Sequence, residues 1–567
     1  MNKTLPVGYE DFREILNRDL YYVDKTLLIK ELLENGGKVN LITRPRRFGK
    51  TLNLSMLHRF FEAEIAEDES KVENGYLFEN LKIAACGEKY MTHQGKYPVI
   101  SLSLKSAKQP GYEMAYEILK YQIIGEYKRH YYLMKSEKIL DVDKKRYMHI
   151  IEGKAGASDY ATSLFFLSEC LAKHHKKNVI ILIDEYDVPL ENAYFEGFYE
   201  KMSAFIRSLF ESALKTNAYL EFAVITGCLR ISKESIFTGL NNLKIHSIQR
   251  ITFADSFGFT ENEVKEMLSV YEVENKFSDI QKWYDGYVFG DKEIYNPWSI
   301  INYVDILRRD KKAYPEAFWS NTSSNSIIKD LIENADRTTK KEIEDLIAGE
   351  YIEKPVHGDI TYGDIHESQD NLWNFLYFTG YLKKCGEREK EDGMYLQLAI
   401  PNTEIRFLYR NTILHWFDKK IQNTDLSELF HAIENGDCTT FENVLSKQLM
   451  ETISFYDYAE NFYHGFLTGL LKADKNYEIL SNRESGLGRS DIIMKENVFR
   501  GKAIILELKV ADSFAEMENL CEVALQQIEE KQYAAELKAE GCQEVLAYGI
   551  CFYKKGCMIK VQNDDEI

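Results

Sequence analysis

Gly49-Lys50-Thr51, within VNLITRPRRFGKTLNL (Val39–Leu54), has the residue types that hold a phosphate. Val39, Leu41 and Ile42 make a short apolar run that reads as a buried strand, and Leu52, Leu54, Met56 and Leu57 follow at helical spacing. A strand, a tight loop and a helix start aim backbone N–H groups at an anion. Lys50 adds positive charge, and the Thr51 hydroxyl is a ligand for Mg²⁺. The full pattern asks for glycine where this chain has Arg44, followed by Pro45, Arg46 and Arg47. The competing reading is a basic loop ahead of an ordinary helix. A second apolar run, Asn178–Ile183, ends in Asp184-Glu185-Tyr186-Asp187. Carboxylates at the end of such a strand suit a nucleotide site, Asp184 holding Mg²⁺ through water and Glu185 polarising the attacking water. A third run, Leu220–Thr226, ends at Thr226-Gly227, where Thr226 can sense a terminal phosphate. Arg230, just beyond, reads as a surface salt-bridge residue before a phosphate contact.

A second constellation lies near the C-terminus. Arg489–Met494 and Lys502–Val510 read as two strands of an antiparallel hairpin. Glu507 and Lys509 project from one strand face, and Asp491 on the partner strand completes two carboxylates and a lysine. Two carboxylates hold a hard divalent cation that activates water, and the lysine positions or deprotonates that water. Placing these charges on apolar strands is costly unless they pair or bind metal. The bland alternative is an edge strand with an exposed Glu-Lys pair. A helix over Phe514–Ala539 and a strand over Val545–Cys551 are expected to complete this part, with Gln526 and Tyr533 on nearly one helix face.

The surrounding elements alternate. Tyr97–Leu104, Asn178–Ile183 and Leu220–Thr226 are near-continuous apolar strands, with helices over Ala161–His174 and Tyr199–Lys215 between them. That pattern predicts an α/β domain, a parallel sheet with helices on both faces. The chain of 567 residues is too long for one core. The expected boundaries are 1–255 for the nucleotide domain, 256–400 for a mainly helical lid or linker, and 401–567 for the C-terminal α/β domain. The middle is dense in aromatics, at Trp283-Tyr284-Asp285-Gly286-Tyr287 and Tyr295-Asn296-Pro297-Trp298-Ser299. A packed core with a turn at Asp285-Gly286 is favoured there over a base-stacking surface.

A net charge of −19 argues against a protein that coats polyanions, but not against a nuclease with a locally basic groove. The nine cysteines are scattered without a C-x-x-C, so neither a zinc cluster nor a disulfide framework is expected, and a reducing cytoplasm fits best. No apolar stretch reaches membrane-spanning length, and Met1–Asp11 lacks a signal-peptide core, so no membrane association is expected.

Taken together, these pieces resemble a bacterial and archaeal AAA-ATPase-like family whose members carry a C-terminal PD-(D/E)XK nuclease-superfamily domain. The resemblance rests on Leu5-Pro6-Val7-Gly8, Tyr22–Thr26, Arg44–Thr51, Asp184–Asp187, Phe237–Asn242 and the two aromatic pieces of the middle region. That family tolerates arginine for the first loop glycine. The resemblance implies a P-loop NTPase sheet, a helical middle and a restriction-endonuclease-like α/β domain. It places nucleotide contacts at Arg47, Phe48, Gly49, Lys50, Thr51, Asp184 and Thr226, and nuclease chemistry at Asp491, Glu507 and Lys509. Glu460, Glu484 and the Gln526–Tyr533 helix look similar to further family features. The implied cofactors are ATP and Mg²⁺, with Mn²⁺ an alternative at the nuclease site. The implied partner is nucleic acid, DNA ahead of RNA, and a homo-oligomer is compatible because AAA-type sites often sit between subunits. The expected activity is an ATP-binding, ATP-hydrolysing module coupled to a metal-dependent nuclease, in defence or mobile-element biology. The alternative is a nucleotide-switched nucleic-acid-binding or scaffold protein without cleavage.

Overall fold

The computed structural model describes residues 3–66, 68–229, 236–237, 241–319, 328, 336–356, 368–391, 393–422, 425–451, 460–485, 488–498 and 500–562. The chain divides into two compact units, Met1–Ser323 with Glu353–Ile405, and Ser324–Ile352 with Arg406–Ile567.

In the first unit, β1 (Val39–Thr43), β2 (Val99–Ser103), β3 (Val179–Asp184), β4 (Leu220–Gly227) and β5 (Leu243–His246) form one sheet in the order β2-β3-β4-β1-β5. Each neighbouring pair is parallel. Strands β1 and β3 are buried at every position, which is why their sequences are apolar runs without alternation. Strand β4 lies between β1 and β3, with Ile42 opposite Thr226 and Ile225 opposite Ile183. This register brings the carboxyl ends of three strands, and so Thr43, Asp184 and Thr226, to one edge of the sheet.

Arg44, in the place of the expected glycine, turns into the core and is fully buried. Its guanidinium donates to the carbonyls of Thr43 (2.8 Å), His246 (2.8 Å), Thr252 (3.3 Å) and Phe253 (3.0 Å). The same group lies over the Phe257 and Phe289 rings, at 5.3 and 5.1 Å from their centroids. Burial pulls its pKa down to about 9, with only the Glu31 carboxylate acting in the other direction. Phe48 is also buried, against Tyr287 and Phe289 at centroid distances of 4.9 and 5.2 Å.

Those two aromatics belong to a hairpin of β6 (Tyr287–Phe289) and β7 (Lys292–Ile294), followed by helix Pro297–Leu307, whose start the Asn296 side chain caps. Strands β8 (Ile352–Pro355), β9 (Lys383–Lys390) and β10 (Gly393–Ala399) form a small sheet in the order β8-β10-β9. Tyr284, Tyr287 and Tyr295 are buried, so these aromatics make core and not a stacking platform. Glu404 is fully buried nearby, accepting from the Ser299 hydroxyl and from the Trp319 backbone N–H at 2.8 Å each. Burial pushes its carboxyl up to about 7, with these hydrogen bonds holding it lower than burial alone.

In the second unit, β11 (Tyr477–Ser485), β12 (Gly488–Glu496), β13 (Lys502–Val510), β14 (Glu544–Tyr553) and β15 (Gly556–Gln562) form a mixed sheet in sequence order. The β13–β14 pair is parallel and the other three are antiparallel. Helix Glu460–Leu471 packs its Tyr463, Phe466, Leu467 and Leu470 into the core beside β13 and β14. The single helix expected over Phe514–Ala539 is instead a short turn and two helices, Met517–Glu530 and Tyr533–Ala539. The break is at Gln532, which takes left-handed backbone (φ 56°) that an α-helix does not accommodate.

Two predictions follow from the burial of charge in the first unit. Arg44→Met leaves four carbonyls without their donor in a dry site, and is expected to cost about 3 kcal/mol or more of stability in denaturant titrations. Glu404 carries a folded pKa above its unfolded one, so it binds its proton more tightly when folded. Stability from this group is therefore greatest below about 4.5 and falls as pH rises to about 7. Glu404→Gln is expected to remove that fall, so the melting temperatures of parent and variant should diverge across this window, with the variant the higher at pH 7.

Candidate functional sites

The first site is built at the carboxyl edge of the parallel sheet. Helix Lys50–Phe61 begins directly after Gly49, whose left-handed backbone (φ 82°) turns the loop into the helix, and no side chain caps its first N–H groups. Those donors are thus available to an anion. Lys50 is buried with its ammonium 2.9 Å from the carbonyls of both Arg44 and Pro45, spanning the loop from inside. The Thr51 hydroxyl donates to Asp184 Oδ2 at 2.7 Å, and the Thr226 hydroxyl donates to Asp184 Oδ1. The structure thus gathers Thr51, Asp184 and Thr226 on one carboxylate. A hydroxyl and a carboxylate in contact fit a hard cation bound through oxygen and water.

Glu185, the next residue, has left-handed backbone (φ 51°), a strained conformation for a non-glycine residue of the kind concentrated at functional sites. Burial pushes its carboxyl pKa up, and Lys50 and Lys105 pull it back. Glu185 lines a cavity of about 340 Å³ together with Arg47, Gly49, Lys50 and Thr51. Arg47, also left-handed (φ 68°), sets its guanidinium 4.4 Å from the Trp298 ring centroid on that wall. Phe48 reaches the cavity edge, but its ring is buried, so its side chain anchors the loop. Arg230 lies outside the described residues.

Several cavity residues were not assigned a role from sequence. Asp187 Oδ2 accepts from the backbone N–H groups of Cys228 (2.6 Å) and Leu229 (3.1 Å), tying the segment after β4 to the turn after β3. Its Oδ1 is buried without a hydrogen-bond partner, and burial raises its pKa. Pro6, Val7, Tyr21, Met267 and Trp298 give the cavity an apolar part, with the Trp298 ring against Arg47 of the loop. Such an apolar part beside a phosphate loop suits a planar base. The signal for these residues was present in the Leu5–Gly8, Asp184–Asp187 and Asn296–Ser299 pieces, but no spacing rule linked them to the loop.

The second site lies where β12 and β13 pair. Ile492 is opposite Leu506, which sets Asp491 beside Glu507. Each carboxylate reaches the other's strand: Asp491 Oδ2 accepts from Leu508 N–H (2.8 Å), and Glu507 Oε2 from Asp491 N–H (3.4 Å). Glu507 is 1% exposed, and the Gln527 amide donates to its Oε1. Lys509 donates to Gln527 Oε1 at 2.8 Å and stands 3.8 Å from Glu507 Oε1. Asp491, Glu507 and Lys509 are therefore one cluster. Two carboxylates on adjacent paired strands fit a divalent cation, although among the described residues no group of three or more acidic, His or Cys side chains surrounds one point.

Gln527 is the helix residue that enters this cluster. Gln526, favoured by its spacing to Tyr533, instead donates to Glu530 at 2.9 Å on the exposed side. Tyr533 is near enough for Glu507 and Asp491 to raise its pKa, after burial as the larger cause. Gly549 lies opposite Glu507, and a Cβ there would sit 2.2 Å from the Cys521 carbonyl oxygen. Only glycine lets helix Met517–Glu530 come this close and deliver Gln527. His464, also missed, places Nε2 3.0 Å from the Asp491 carbonyl and 3.1 Å from the Ser481 hydroxyl. The side chains of Glu460 and Glu484 lie outside the described residues.

Among the described residues, no helix is long and apolar enough to cross a membrane. Residues 6–237 match the family described as "Predicted AAA-ATPase", and residues 458–562 match the "PD-(D/E)XK nuclease superfamily". The chain is also similar to the "Uncharacterized protein in vnfD 5'region" of Azotobacter chroococcum mcd 1, with 24% identity over 557 residues, covering 95% of this chain and 94% of the relative. The chain is thus similar to AAA-ATPase-like proteins over residues 6–237 and to the PD-(D/E)XK nuclease superfamily over residues 458–562.

Proposed function

We propose that the chain is an ATP-hydrolysing module joined to a metal-dependent nuclease acting on DNA before RNA. The observation that carries the first half is the Thr51–Asp184–Thr226 contact at the edge where Lys50 and an uncapped helix start also lie. In this reading the helix N–H groups and Lys50 bind the phosphates, and Arg47 with Trp298 forms a wall. Thr51 and Asp184 would hold Mg²⁺, which offsets phosphate charge when bound. Glu185 orients the attacking water and takes its proton, and Thr226 senses the terminal phosphate. Burial lifts Glu185 toward neutrality while Lys50 and Lys105 favour its ionised, proton-accepting form.

The second half rests on the Asp491–Glu507–Lys509–Gln527 cluster. Asp491 and Glu507 would hold Mg²⁺ or Mn²⁺, which supplies charge at the scissile phosphate when bound. Lys509, turned by Gln527, positions the nucleophilic water, and His464 steadies the Asp491 backbone. ATP hydrolysis gating cleavage, and a place in defence or mobile-element biology, extend this reading. The expected assignment is 1–255 to the nucleotide domain, 256–400 to the lid or linker and 401–567 to the nuclease domain. A scaffold that only binds nucleic acid has less support, because it gives no use to a lysine, a glutamine and two carboxylates gathered in a dry site.

Glu185→Gln keeps every phosphate contact and removes the proton acceptor. It is expected to bind ATP as the parent does while turnover falls about 10²–10⁴-fold, read by phosphate release beside calorimetry. Turnover equal to the parent's removes this role from Glu185. At the second site, Asp491→Asn is expected to weaken Mn²⁺ binding strongly, and Lys509→Ala to leave it within a few-fold. Both should lose cleavage of plasmid, linear DNA and RNA, and both should keep parental ATP turnover. Undiminished cleavage by purified Lys509→Ala removes the proposed water-positioning step.

A further inference from the structure

Phosphoryl transfer needs a cation against the charge that spreads over the terminal phosphate, beyond the one that binds the phosphates in the ground state. Lys50, fixed to two loop carbonyls, is the ground-state cation here. The end of β2 brings a further lysine to the same edge. Ser103 is opposite Asp184, and the Leu104 N–H donates to the Asp184 carbonyl at 3.0 Å. Lys105 opens the short turn that follows, and its side chain lines the cavity with Glu185 and Lys50.

We propose that Lys105 is a catalytic residue of ATP hydrolysis, the cation that this chain itself supplies to the terminal phosphate. The inference rests on reading the first site as an ATPase. In the step, the water oxygen bonds to the terminal phosphorus and the bond to the bridging oxygen breaks. Its electron pair stays on ADP, and Glu185 takes the water's proton. Lys105 keeps its own proton throughout and balances the charge on the phosphoryl oxygens.

Two further observations support this placement. Lys105 pairs with Glu10 at 2.7 Å, both side chains being about half exposed (51% and 50%). A screened pair of this kind is weak, so a phosphate at the cavity can take Glu10's place. The Leu104–Asp184 backbone hydrogen bond also ties the residue before Lys105 to the residue before Glu185, so both side chains leave from adjacent strand ends. The cavity's other cations are placed differently. Lys50 is fixed to two loop carbonyls, Arg46 is held by the less exposed Glu191, and Lys108 follows the end of the turn that Lys105 opens.

The test compares Lys105→Ala and Lys105→Arg with the full-length parent, following ATP turnover, KM and the affinity for ATP measured with the Glu185→Gln background. Lys105→Ala is expected to lower kcat about 10-fold or more while ATP affinity changes less than about 3-fold. Lys105→Arg should recover part of the rate, and turnover per chain should not change with protein concentration. Because Lys105 is half exposed, unfolding does not mask the result, and matched melting curves check this. Parental kcat in Lys105→Ala overturns the assignment while leaving the ATPase reading intact. A specific rate that climbs with protein concentration overturns it in favour of a cation from a second copy. A parent without Glu185-dependent ATP turnover fails the ATPase reading itself.

Discussion

The first unit depends on a buried guanidinium. Arg44 stands where a phosphate loop of the common kind has glycine, and its charge is spent on four carbonyls from β1, the end of β5 and the segment after it. A glycine in that place gives a loop its turn, whereas the arginine fastens the loop's first residue from beneath. The far end is fastened by Phe48, packed on the β6–β7 hairpin. Between these two anchors the backbone passes through left-handed Arg47 and Gly49 before the helix starts. The stabilising interactions thus lie on the core side of the loop, and the N–H groups on the other side keep no side-chain partner. Burying an ion this way is expensive, as its lowered pKa shows, and the four bonds from its two terminal nitrogens offset that cost, Nε alone being buried without a partner.

The second unit meets a related constraint with different means. Glu507 is as buried as an apolar side chain, and an isolated carboxylate there is untenable. Backbone N–H groups of the opposite strand and the Gln527 amide surround it and Asp491. Gln527 is placed by the close approach of its helix over Gly549, so a glycine on β14 serves the side-chain cluster on β13. The amide also has an oxygen, which accepts from Lys509 and holds the lysine beside Glu507. One neutral side chain therefore sets both a carboxylate and an ammonium.

Much of this was legible in the sequence because the signals were local. Apolar runs ending in Thr, Asp-Glu or Thr-Gly announced β1, β3 and β4, and period-two spacing joined Glu507 to Lys509. The strand order is not local, and nothing in the runs says that β4 separates β1 from β3. Gln526 and Gln527 show why helix spacing alone misleads. Spacing to Tyr533 favoured Gln526, but the break at Gln532 puts Tyr533 on a separate helix, and on the first helix Gln527 is the residue that faces the cluster. Asp187, Trp298 and His464 were invisible as site residues because each acts through a contact far along the chain. The glutamate signals at Glu460 and Glu484 concern side chains outside the described residues.

Both sites hold their charges by contacts within the protein that a ligand can exchange for its own. Thr51 and Thr226 donate to Asp184, Lys50 spans loop carbonyls, Lys105 leans on Glu10, and Gln527 donates to Glu507. All but the half-exposed Lys105–Glu10 pair satisfy groups that would otherwise be desolvated and unpaired, and each uses atoms suited to phosphate or cation. The consequence is that ligand affinity is measured against these internal bonds and not against water. The cost of exchange differs among them. A half-exposed Lys105–Glu10 pair is cheap to open, whereas the Lys50 ammonium, buried on two carbonyls, is not. The cheap contact is the one a ligand can open, while the costly one keeps the loop in shape.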